Sequence, residues 1–374
     1  MTKKIKLLTV VGTRPELIRL SSFIKKSDSF FNNIIVHTGQ NYDFNLNKIF
    51  FDDLNLKEPK YFLKLSGNST IETISNILVN IEKIILQEKP DAFLILGDTN
   101  SCLSIYVAKR YKIPTFHVEA GNRCFDQRVP EEINRKIIDS IADINITYSS
   151  ISRNYLIREN FPPDRIIKVG SPMREVIEDN KLKIESSDIL TRLKLTKNLF
   201  FLVSCHREEI IDNNSTFNDF CSILNALDKK YRFPIIISTH PRTEKKIKQS
   251  KIKFSKDIKF LKPFSFSEYM SLQKNAYIVL SDSGTINEES SILQFPAINL
   301  RGSNERPEAM EEAATIMVEM HLERILQAIN ILKNNKLNVQ NKIVDDYSSC
   351  NFSEKIIKTI HSYLNYVNSY VWMK

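Results

Sequence analysis

The chain has 374 residues, 42% hydrophobic and 26% charged, a balance that excludes disordered and fibrous structure and allows two domains of ordinary size. Its net charge of +9 comes largely from lysines spread along the sequence, so we expect a local anion site and not a nucleic-acid surface. The cysteines lack CxxC spacing, which fits a reducing cytoplasm, and no run approaches the roughly 20 apolar residues that would cross a bilayer.

The first half of the chain alternates predicted strands and helices. Lysines precede the first apolar run, but Arg14 and Glu16 follow it at once, so we interpret the run as a buried strand and not as a signal peptide. Strands are predicted at 5–11, 34–37, 92–96, 115–118 and 144–148, and helices near 15–26, 69–88, 99–111 and 130–141. This repetition predicts a parallel sheet covered on both faces.

A second series of the same kind begins after Gly170-Ser171-Pro172. Strands are predicted at 199–204, 234–239, 258–261, 277–281 and 297–300, and helices near 214–229, 267–275, 284–294 and 321–333. The polar stretch 334–352 is interpreted as a loop before a last helix at roughly 353–370.

The fold class is therefore α/β, with two doubly wound Rossmann-like domains facing across a cleft. The first domain is predicted at residues 1–170, joined by the C-terminal helix within 353–374, and the second at residues 171–352. Ligands of such sheets bind beyond the carboxyl ends of the strands, so the loops there are the candidate sites.

Loops of the first domain carry arginines and acids. Arg14 precedes and Arg19 follows Pro15, at a predicted helix start where free backbone N–H groups favour binding of a phosphate. The alternative is that both arginines are simply solvated. Asp98 is either the N-cap of the next helix or a working acid. Glu119 ends an apolar strand, where a carboxylate must be paired or functional.

The loop that follows Glu119 is crowded with charge. It holds, from 121 to 135, Arg123, Asp126, Arg128, Glu131, Glu132 and Arg135. This density exceeds what core packing requires and indicates proton transfer on a charged substrate. Glu131 and Glu132 follow Pro130 in a first helical turn, which acidic residues also favour for dipole reasons, and Glu131 can pair with Arg135. Local sequence leaves both explanations open.

In the second domain, two loops suit a nucleotide. His206 and Arg207 follow a strand and could bind a diphosphate, although His206 could instead pair with Glu209 at the surface. The residues 281–289 open a helix with small side chains that let phosphate oxygens approach backbone N–H groups. Arg301 and Arg306 lie at the same rim. Neither a Walker P-loop nor GxGxxG occurs, which argues against ATP hydrolysis and bound NAD.

Taken in order and spacing, these motifs resemble the non-hydrolysing UDP-N-acetylglucosamine 2-epimerase family over nearly the whole chain. The motifs are Gly12-Thr13-Arg14-Pro15-Glu16, Gly97-Asp98-Thr99, His117-Val118-Glu119-Ala120-Gly121, Pro130-Glu131-Glu132-Ile133-Asn134-Arg135, His206-Arg207-Glu208, Asp282-Ser283-Gly284 and Glu305-Arg306-Pro307-Glu308. Segments 121–130 and 363–372 resemble the branch that converts UDP-2-acetamido-2,6-dideoxy-L-talose to UDP-N-acetyl-L-fucosamine for capsule or O-antigen synthesis.

The resemblance implies a GT-B-like enzyme that eliminates UDP to a glycal and adds it back, without cofactor or metal. It implies catalytic roles for Asp98, Glu119, Glu131 and His206. It implies UDP-sugar binding by Arg14, Arg19, Arg207, Tyr269, Ser283, Gly284, Thr285, Glu289 and Arg306, with Glu289 on the ribose. It further implies a cytoplasmic homodimer with no nucleic-acid or membrane partner.

Some positions depart from the family pattern. Arg19 stands where the hexosamine epimerases carry a lysine, and an arginine cannot readily donate a proton. Thr285 replaces a glycine, and Gly39-Gln40-Asn41-Tyr42 lacks the usual histidine of a second nucleotide-sugar site. The segment Cys124-Phe125-Asp126-Gln127-Arg128 is expected to select the sugar.

Three rival functions are kept. A UDP-N-acetylglucosamine epimerase differs only in its sugar, whereas a GT-B glycosyltransferase holds a similar nucleotide sugar but needs an acceptor. A catalytically inactive sensor of nucleotide sugars would bind without turnover. A metal enzyme is disfavoured, because the histidines show no ligand spacing such as HxxxH.

Overall fold

The computed structural model describes residues 3–39, 44–65, 67–250, 252–334 and 342–374. The chain forms two compact units. The first, unit 1, comprises Met1–Asp179 and Asp346–Lys374, and the second, unit 2, comprises Asn180–Asp345. Each unit contains one parallel sheet, as the predicted fold class requires.

Unit 1 is built on a seven-stranded parallel sheet with the order β3-β2-β1-β4-β5-β6-β7. The strands are β1 (Lys6–Val11), β2 (Asn32–His37), β3 (Tyr61–Phe62), β4 (Ala92–Leu96), β5 (Thr115–Val118), β6 (Ile144–Thr147) and β7 (Ile166–Lys168). The central strands β4 and β5 are buried at every residue, which explains the continuous apolar sequence of β4; β5 also buries the polar residues Thr115 and His117. They pair in parallel with Leu96 opposite Val118, so the loops after them begin side by side.

Helices connect these strands. They are α1 (Arg14–Ser27), α2 (Phe44–Asp53), α3 (Thr70–Glu88), α4 (Ile105–Arg110), α5 (Pro130–Ile141), α6 (Ser150–Arg158) and α7 (Met173–Asp179). The amphipathic helix α3 packs Ile77, Ile81, Ile84 and Ile85 onto the sheet, a spacing that follows the helical period. Two 3-10 turns, Asn100–Ser104 and Pro163–Arg165, complete the connections.

Unit 2 repeats this architecture with a six-stranded sheet of order β10-β9-β8-β11-β12-β13. Its strands are β8 (Phe201–Ser204), β9 (Ile235–Ser238), β10 (Ile258–Leu261), β11 (Ile278–Ser281), β12 (Ala297–Asn299) and β13 (Ile316–Met317). Its helices are α8 (Lys181–Glu185), α9 (Ile189–Leu193), α10 (Glu208–Ile211), α11 (Asn214–Tyr231), α12 (Pro241–Gln249), α13 (Phe266–Asn275), α14 (Ile286–Leu293), α15 (Pro307–Glu311) and α16 (Leu322–Leu332).

The last helix returns to unit 1. After a 3-10 turn at Asp345–Tyr347, helix α17 (Phe352–Tyr366) packs against α1 and continues into a π-helical turn at Val367–Val371. Buried Glu175 of α7 holds this contact, because it pairs with Lys26 of α1 and accepts from the Ser353 backbone N–H at 2.7 Å.

The predicted domain boundaries at 170/171 and 352/353 are therefore displaced in the structure, to 179/180 and 345/346. The Ser171 N–H donates to the Asp346 carbonyl at 3.0 Å, and α7 is fastened to α1, so both segments belong to unit 1. The predicted loop 334–352 contains the 3-10 turn at Asp345–Tyr347, and its residues 335–341 lie outside the described part of the chain.

Within the described residues, no helix combines the length and the apolar character needed to span a membrane.

Candidate functional site

The predicted site residues of unit 1 lie at the carboxyl ends of three neighbouring strands. Arg14 and Arg19 belong to α1 after β1, Asp98 follows β4, and Glu119 follows β5. Because β1, β4 and β5 are adjacent in the sheet, the structure brings these loops together. Glu131 lies in the first turn of α5, two residues after the Val129 N-cap, and is exposed.

Glu119 is buried and held by charge. Its carboxylate pairs with the guanidinium of Arg19 and accepts from Asn122 Nδ2 at 3.3 Å. Only 6% of Glu119 is exposed, and its backbone has a φ of 70°, a left-handed conformation that non-glycine residues adopt at a cost. Arg19 therefore neutralises the charge of Glu119, a candidate for proton transfer. This ion pair was not predicted from the sequence.

Asp98 is held by the helix that follows β5. Its Oδ2 accepts from Arg135 Nε at 2.6 Å, and its carbonyl oxygen accepts from Asn134 Nδ2 at 2.9 Å. The interpretation of Asp98 as the helix N-cap is wrong, because the 3-10 turn begins at Asn100 and its N-cap is Thr99. The Asp98 carboxylate remains directed at Arg135.

Glu132 has a structural role in the charged loop. It is fully buried and accepts from the backbone N–H groups of Cys124 at 3.0 Å and Phe125 at 3.2 Å, and from Arg135 Nη1 at 3.0 Å. Burial raises the pKa of this carboxyl, but these donors outweigh burial and the pKa lies below its ordinary value. In its carboxylate form, Glu132 thus holds the loop at Cys124 and Phe125, whereas the neighbouring Glu131 is exposed to solvent.

Glu16 is a buried acid of this site that sequence reasoning missed. Its Oε2 accepts from the Gly12 and Thr13 backbone N–H groups, which caps the start of α1. Burial raises the pKa of Glu16 from 4.5 to about 7; hydrogen bonds from Thr99, Gly12 and Thr13 oppose the rise, and the charge of Asp98 adds to it. The capping-box spacing Thr13-x-x-Glu16 was the signal that could have identified it.

A second missed group connects the loops after β4 and β5. His117 Nε2 lies 2.9 Å from the Gly97 carbonyl oxygen, and its Nδ1 lies 2.9 Å from Asp139 Oδ1. Asp139 Oδ2 accepts from Arg123 Nη1 at 2.7 Å. Burial raises the pKa of Asp139, but His117 and Arg123 outweigh burial, so the pKa lies below its ordinary value.

Arg14 is the first residue of α1. It is half-buried, and its guanidinium carbon lies 5.0 Å above the Phe50 ring. The Gln40-Asn41-Tyr42 part of the segment that lacks the family histidine is outside the described residues.

In unit 2, Asp282 organises the loop after β8. Its Oδ2 accepts from the backbone N–H groups of His206 at 2.7 Å and Arg207 at 2.8 Å, and its Oδ1 lies 3.0 Å from His206 Nδ1. Burial raises the pKa of Asp282, but His206 and these hydrogen bonds hold it well below the ordinary range. His206 is therefore paired with Asp282; the side chain of Glu209 is outside the described residues.

The loop before α14 packs closely on charged side chains. A Cβ on Gly284 would come within 2.7 Å of Glu305 Oε1 and 3.5 Å of Arg301 Nη1, so a side chain here would require the Glu305 carboxylate to move. Ser283 Oγ and Thr285 Oγ1 lie 2.9 Å apart. The backbone at Gly284 therefore lies close to the Arg301–Glu305 ion pair.

Glu289 and Arg306 are both buried, and each is bonded to a different neighbouring side chain. Glu289 Oε2 accepts from Gln273 Nε2 at 2.6 Å, and Arg306 Nε donates to Glu288 Oε2 at 3.0 Å. Tyr269 is half-buried and packs against the apolar core beneath α13. Most predicted residues of unit 2 thus follow β8, β11 and β12, which are adjacent strands, whereas Tyr269 lies on α13 after the edge strand β10.

Comparison with known proteins identifies the family. The family model described as UDP-N-acetylglucosamine 2-epimerase matches residues 24–361. The chain belongs to this family. The solved structure of UDP-N-acetylglucosamine 2-epimerase from Rickettsia bellii is 46% identical, with a TM-score of 0.92 over 99% of this chain and 100% of that one.

Two further relatives extend the comparison. The Methanocaldococcus jannaschii UDP-GlcNAc 2-epimerase, solved with UDP-GlcNAc and UDP, is 35% identical with a TM-score of 0.89 over 96% of this chain and 100% of that one. The UDP-2,3-diacetamido-2,3-dideoxy-D-glucuronate 2-epimerase of Pseudomonas aeruginosa is 30% identical over 328 residues, 86% of this chain and 91% of that protein.

Membership in the 2-epimerase family confirms the predicted enzyme class, an isomerase that acts as a nucleotide-sugar epimerase, and the α/β architecture of two Rossmann-like sheets. It disfavours the glycosyltransferase and sensor alternatives. Among the described residues of this epimerase, no group of three or more His, Cys, Asp or Glu side chains is arranged to hold a metal ion.

Proposed function

We propose that this epimerase inverts C2 of a UDP-2-acetamido sugar, converting UDP-2-acetamido-2,6-dideoxy-L-talose to UDP-N-acetyl-L-fucosamine. The observation that carries the proposal is the juxtaposition of two carboxylates, Asp98 and Glu119, at the ends of neighbouring strands β4 and β5, each in an ion pair with an arginine. Inverting a carbon by proton transfer needs acids on both of its faces, and we assign this role to the two carboxylates.

The proposed reaction has two stages. In the first, a carboxylate takes the C2 proton while the C1–O bond breaks and its electron pair leaves with UDP, so that a C1–C2 double bond forms. In the second, a carboxyl group returns a proton to the opposite face of C2 as UDP adds back to C1. Asp98, Glu119 and Glu131 are the proposed acids and bases, since Glu132 is committed to the loop.

Departing UDP gains negative charge, which the protein must stabilise. We assign this role to Arg14, Arg207 and His206, whose Nδ1 lies 3.0 Å from Asp282 Oδ1. Arg19, paired with Glu119, would act near the reacting sugar. The nucleotide is assigned to unit 2, where the remaining predicted contacts are Tyr269, Ser283, Gly284, Thr285, Glu289 and Arg306.

The sugar assignment depends on the segment 124–128. Phe125 has 66% of its surface exposed and packs edge-on against Tyr155 at 5.3 Å between ring centroids. An exposed aromatic ring suits the C6 methyl of a 6-deoxy sugar better than a C6 hydroxyl. Homodimer formation, a cytoplasmic location and a role in capsule or O-antigen synthesis are proposed on the family resemblance alone.

UDP-N-acetylglucosamine is the second candidate substrate. The names of the R. bellii and M. jannaschii relatives favour it, whereas the P. aeruginosa relative acts on another 2-acetamido sugar, so the family accommodates different substrates.

The experiment incubates each UDP-sugar with the enzyme in D2O without an acceptor and follows C2 by NMR. Deuterium at C2 with formation of the 2-epimer supports the function, and its absence with every UDP-2-acetamido sugar would refute it. A higher kcat/KM for the 6-deoxy-L-talose sugar supports the sugar assignment, and a higher value for UDP-N-acetylglucosamine would reverse it. Asp98→Asn and Glu119→Gln should abolish exchange, whereas Asp91→Asn, at the opposite end of β4, should not.

A further inference from the structure

A fully buried histidine links the two strand ends that carry Asp98 and Glu119. His117 lies on β5, two residues before Glu119, and its Nε2 is 2.9 Å from the carbonyl oxygen of Gly97, the residue before Asp98. The imidazole ring of His117 therefore contacts the backbone of the loop after β4, and the His117 backbone leads through Val118 to Glu119.

The other side of the ring contacts a carboxylate. His117 Nδ1 lies 2.9 Å from Asp139 Oδ1, and both side chains are at most 1% exposed. Asp139 also accepts from the Gly121 backbone N–H, at 3.3 Å on Oδ1 and 3.2 Å on Oδ2, so it holds the chain on the far side of Glu119 as well. The segment 117–121 is thus bound to Asp139 on both sides of Glu119.

Charge balance allows this cluster to be buried. Asp139 Oδ2 accepts from Arg123 Nη1 at 2.7 Å, and Arg123 also makes two bonds to Glu159, of 2.9 and 2.6 Å. Both neighbours of His117, the Gly97 carbonyl oxygen and the Asp139 carboxylate, are hydrogen-bond acceptors. Arg123 supplies the positive charge that offsets the buried Asp139 carboxylate.

We propose that His117 is a positioning residue for the epimerase reaction, which sets the loops of Asp98 and Glu119 relative to each other through its contacts with Gly97 and Asp139. The inference rests on the proposed function. Proton transfer to opposite faces of one carbon requires both carboxyl groups in place at once, and a displacement of about 1 Å can cost ~100-fold in rate.

Two isosteric variants separate the contacts. His117→Gln places an amide nitrogen near the position of Nε2 and keeps a donor for Gly97, whereas His117→Asn places one near Nδ1 and keeps a donor for Asp139. Thr115→Val is the matched control, because it removes a buried side-chain hydrogen bond, to Asp143 Oδ2 at 2.9 Å, at the other end of the same strand.

We expect kcat to fall by ~100-fold in His117→Asn and by less in His117→Gln, with KM nearly unchanged because all assigned nucleotide contacts except Arg14 belong to unit 2. Misplaced acids should also fail to complete re-addition, so free UDP and the glycal should accumulate in both variants. Thr115→Val should lower the melting temperature without changing kcat or releasing UDP.

The measurements are kcat, KM and released UDP per mole of folded enzyme, with deuterium exchange at C2 of the wild type as the reference. If the wild type exchanges but the His117 variants keep its kcat, or merely lose stability as Thr115→Val does, the positioning role is wrong. If the wild type itself does not exchange C2, the proposed function fails and this inference fails with it.

Discussion

Replacing Glu16 with glutamine should remove a pH-dependent penalty from the stability of unit 1. Glu16 is 3% exposed, and burial raises its pKa from 4.5 to about 7. A carboxyl group with a higher pKa in the folded state binds its proton more tightly there than in the unfolded chain. Its favourable contribution is complete below pH 4.5 and is lost as the pH rises through about 7.

The size of the effect follows from these two pKa values. A difference of about 2.5 pKa units corresponds to roughly 3 kcal/mol, of which about 2 to 3 kcal/mol falls between pH 5 and pH 8. The amide of Glu16→Gln does not titrate in this range. The free energy of unfolding of the wild type should therefore fall by about 2 to 3 kcal/mol more than that of the variant across this interval.

Urea unfolding at pH 5, 6.5 and 8 measures this difference. Trp372 is the single tryptophan of the sequence and lies in unit 1, so its fluorescence reports on the unit that contains Glu16. Glu72→Gln is the control, because Glu72 occupies the first turn of α3 but is exposed to solvent, and it should leave the wild-type pH dependence in place. Equal pH dependence in the wild type and Glu16→Gln would refute the reasoning.

Two further predictions concern unit 2. Asp282→Asn removes the carboxylate charge beside His206 Nδ1. Hydrogen bonds to charged groups are worth about 1.5–3 kcal/mol, so we expect UDP affinity, measured by calorimetry, to fall ~10- to 100-fold. Unchanged affinity would contradict the role assigned to His206. Arg306→Met removes the guanidinium 3.0 Å from buried Glu288 and should destabilise the protein by about 3–5 kcal/mol in urea unfolding followed by circular dichroism. Adding Glu288→Leu should recover most of that loss, and a double variant as unstable as the single one would show that the buried charge is not its cause.

The elements that position the site could be predicted because their sequences carry a strong local signal. The strand predicted at 92–96 and the helix at 130–141 have the observed bounds, since one is a continuous apolar run and the other begins at a proline. The edge strands β3, β7 and β13 were missed, because two or three residues are too few to show a period of two.

The partners of the site residues were beyond the reach of local sequence. Spacing indicated only that Arg135 can pair with Glu131; the structure shows bonds from Arg135 to Glu132 and to Asp98, which lies 37 positions away. Such a contact depends on how α5 lies against the loop after β4, which no sequence period encodes. The pairing of His117 with Asp139 is of the same kind, because a histidine within an apolar strand gives no indication of its partner.

The return of α17 to unit 1 has a consequence for biosynthesis. Unit 2 is contiguous in the chain and can fold on the ribosome once its own residues have emerged, whereas helix α17 of unit 1 can pack on α1 only after all of unit 2 has been synthesised. Until α17 arrives, the apolar surface of α1 that it covers stays exposed. The proposed catalytic unit is therefore begun first during translation and completed last, and a chain that stops before residue 352 would retain a whole unit 2 beside an unfinished unit 1.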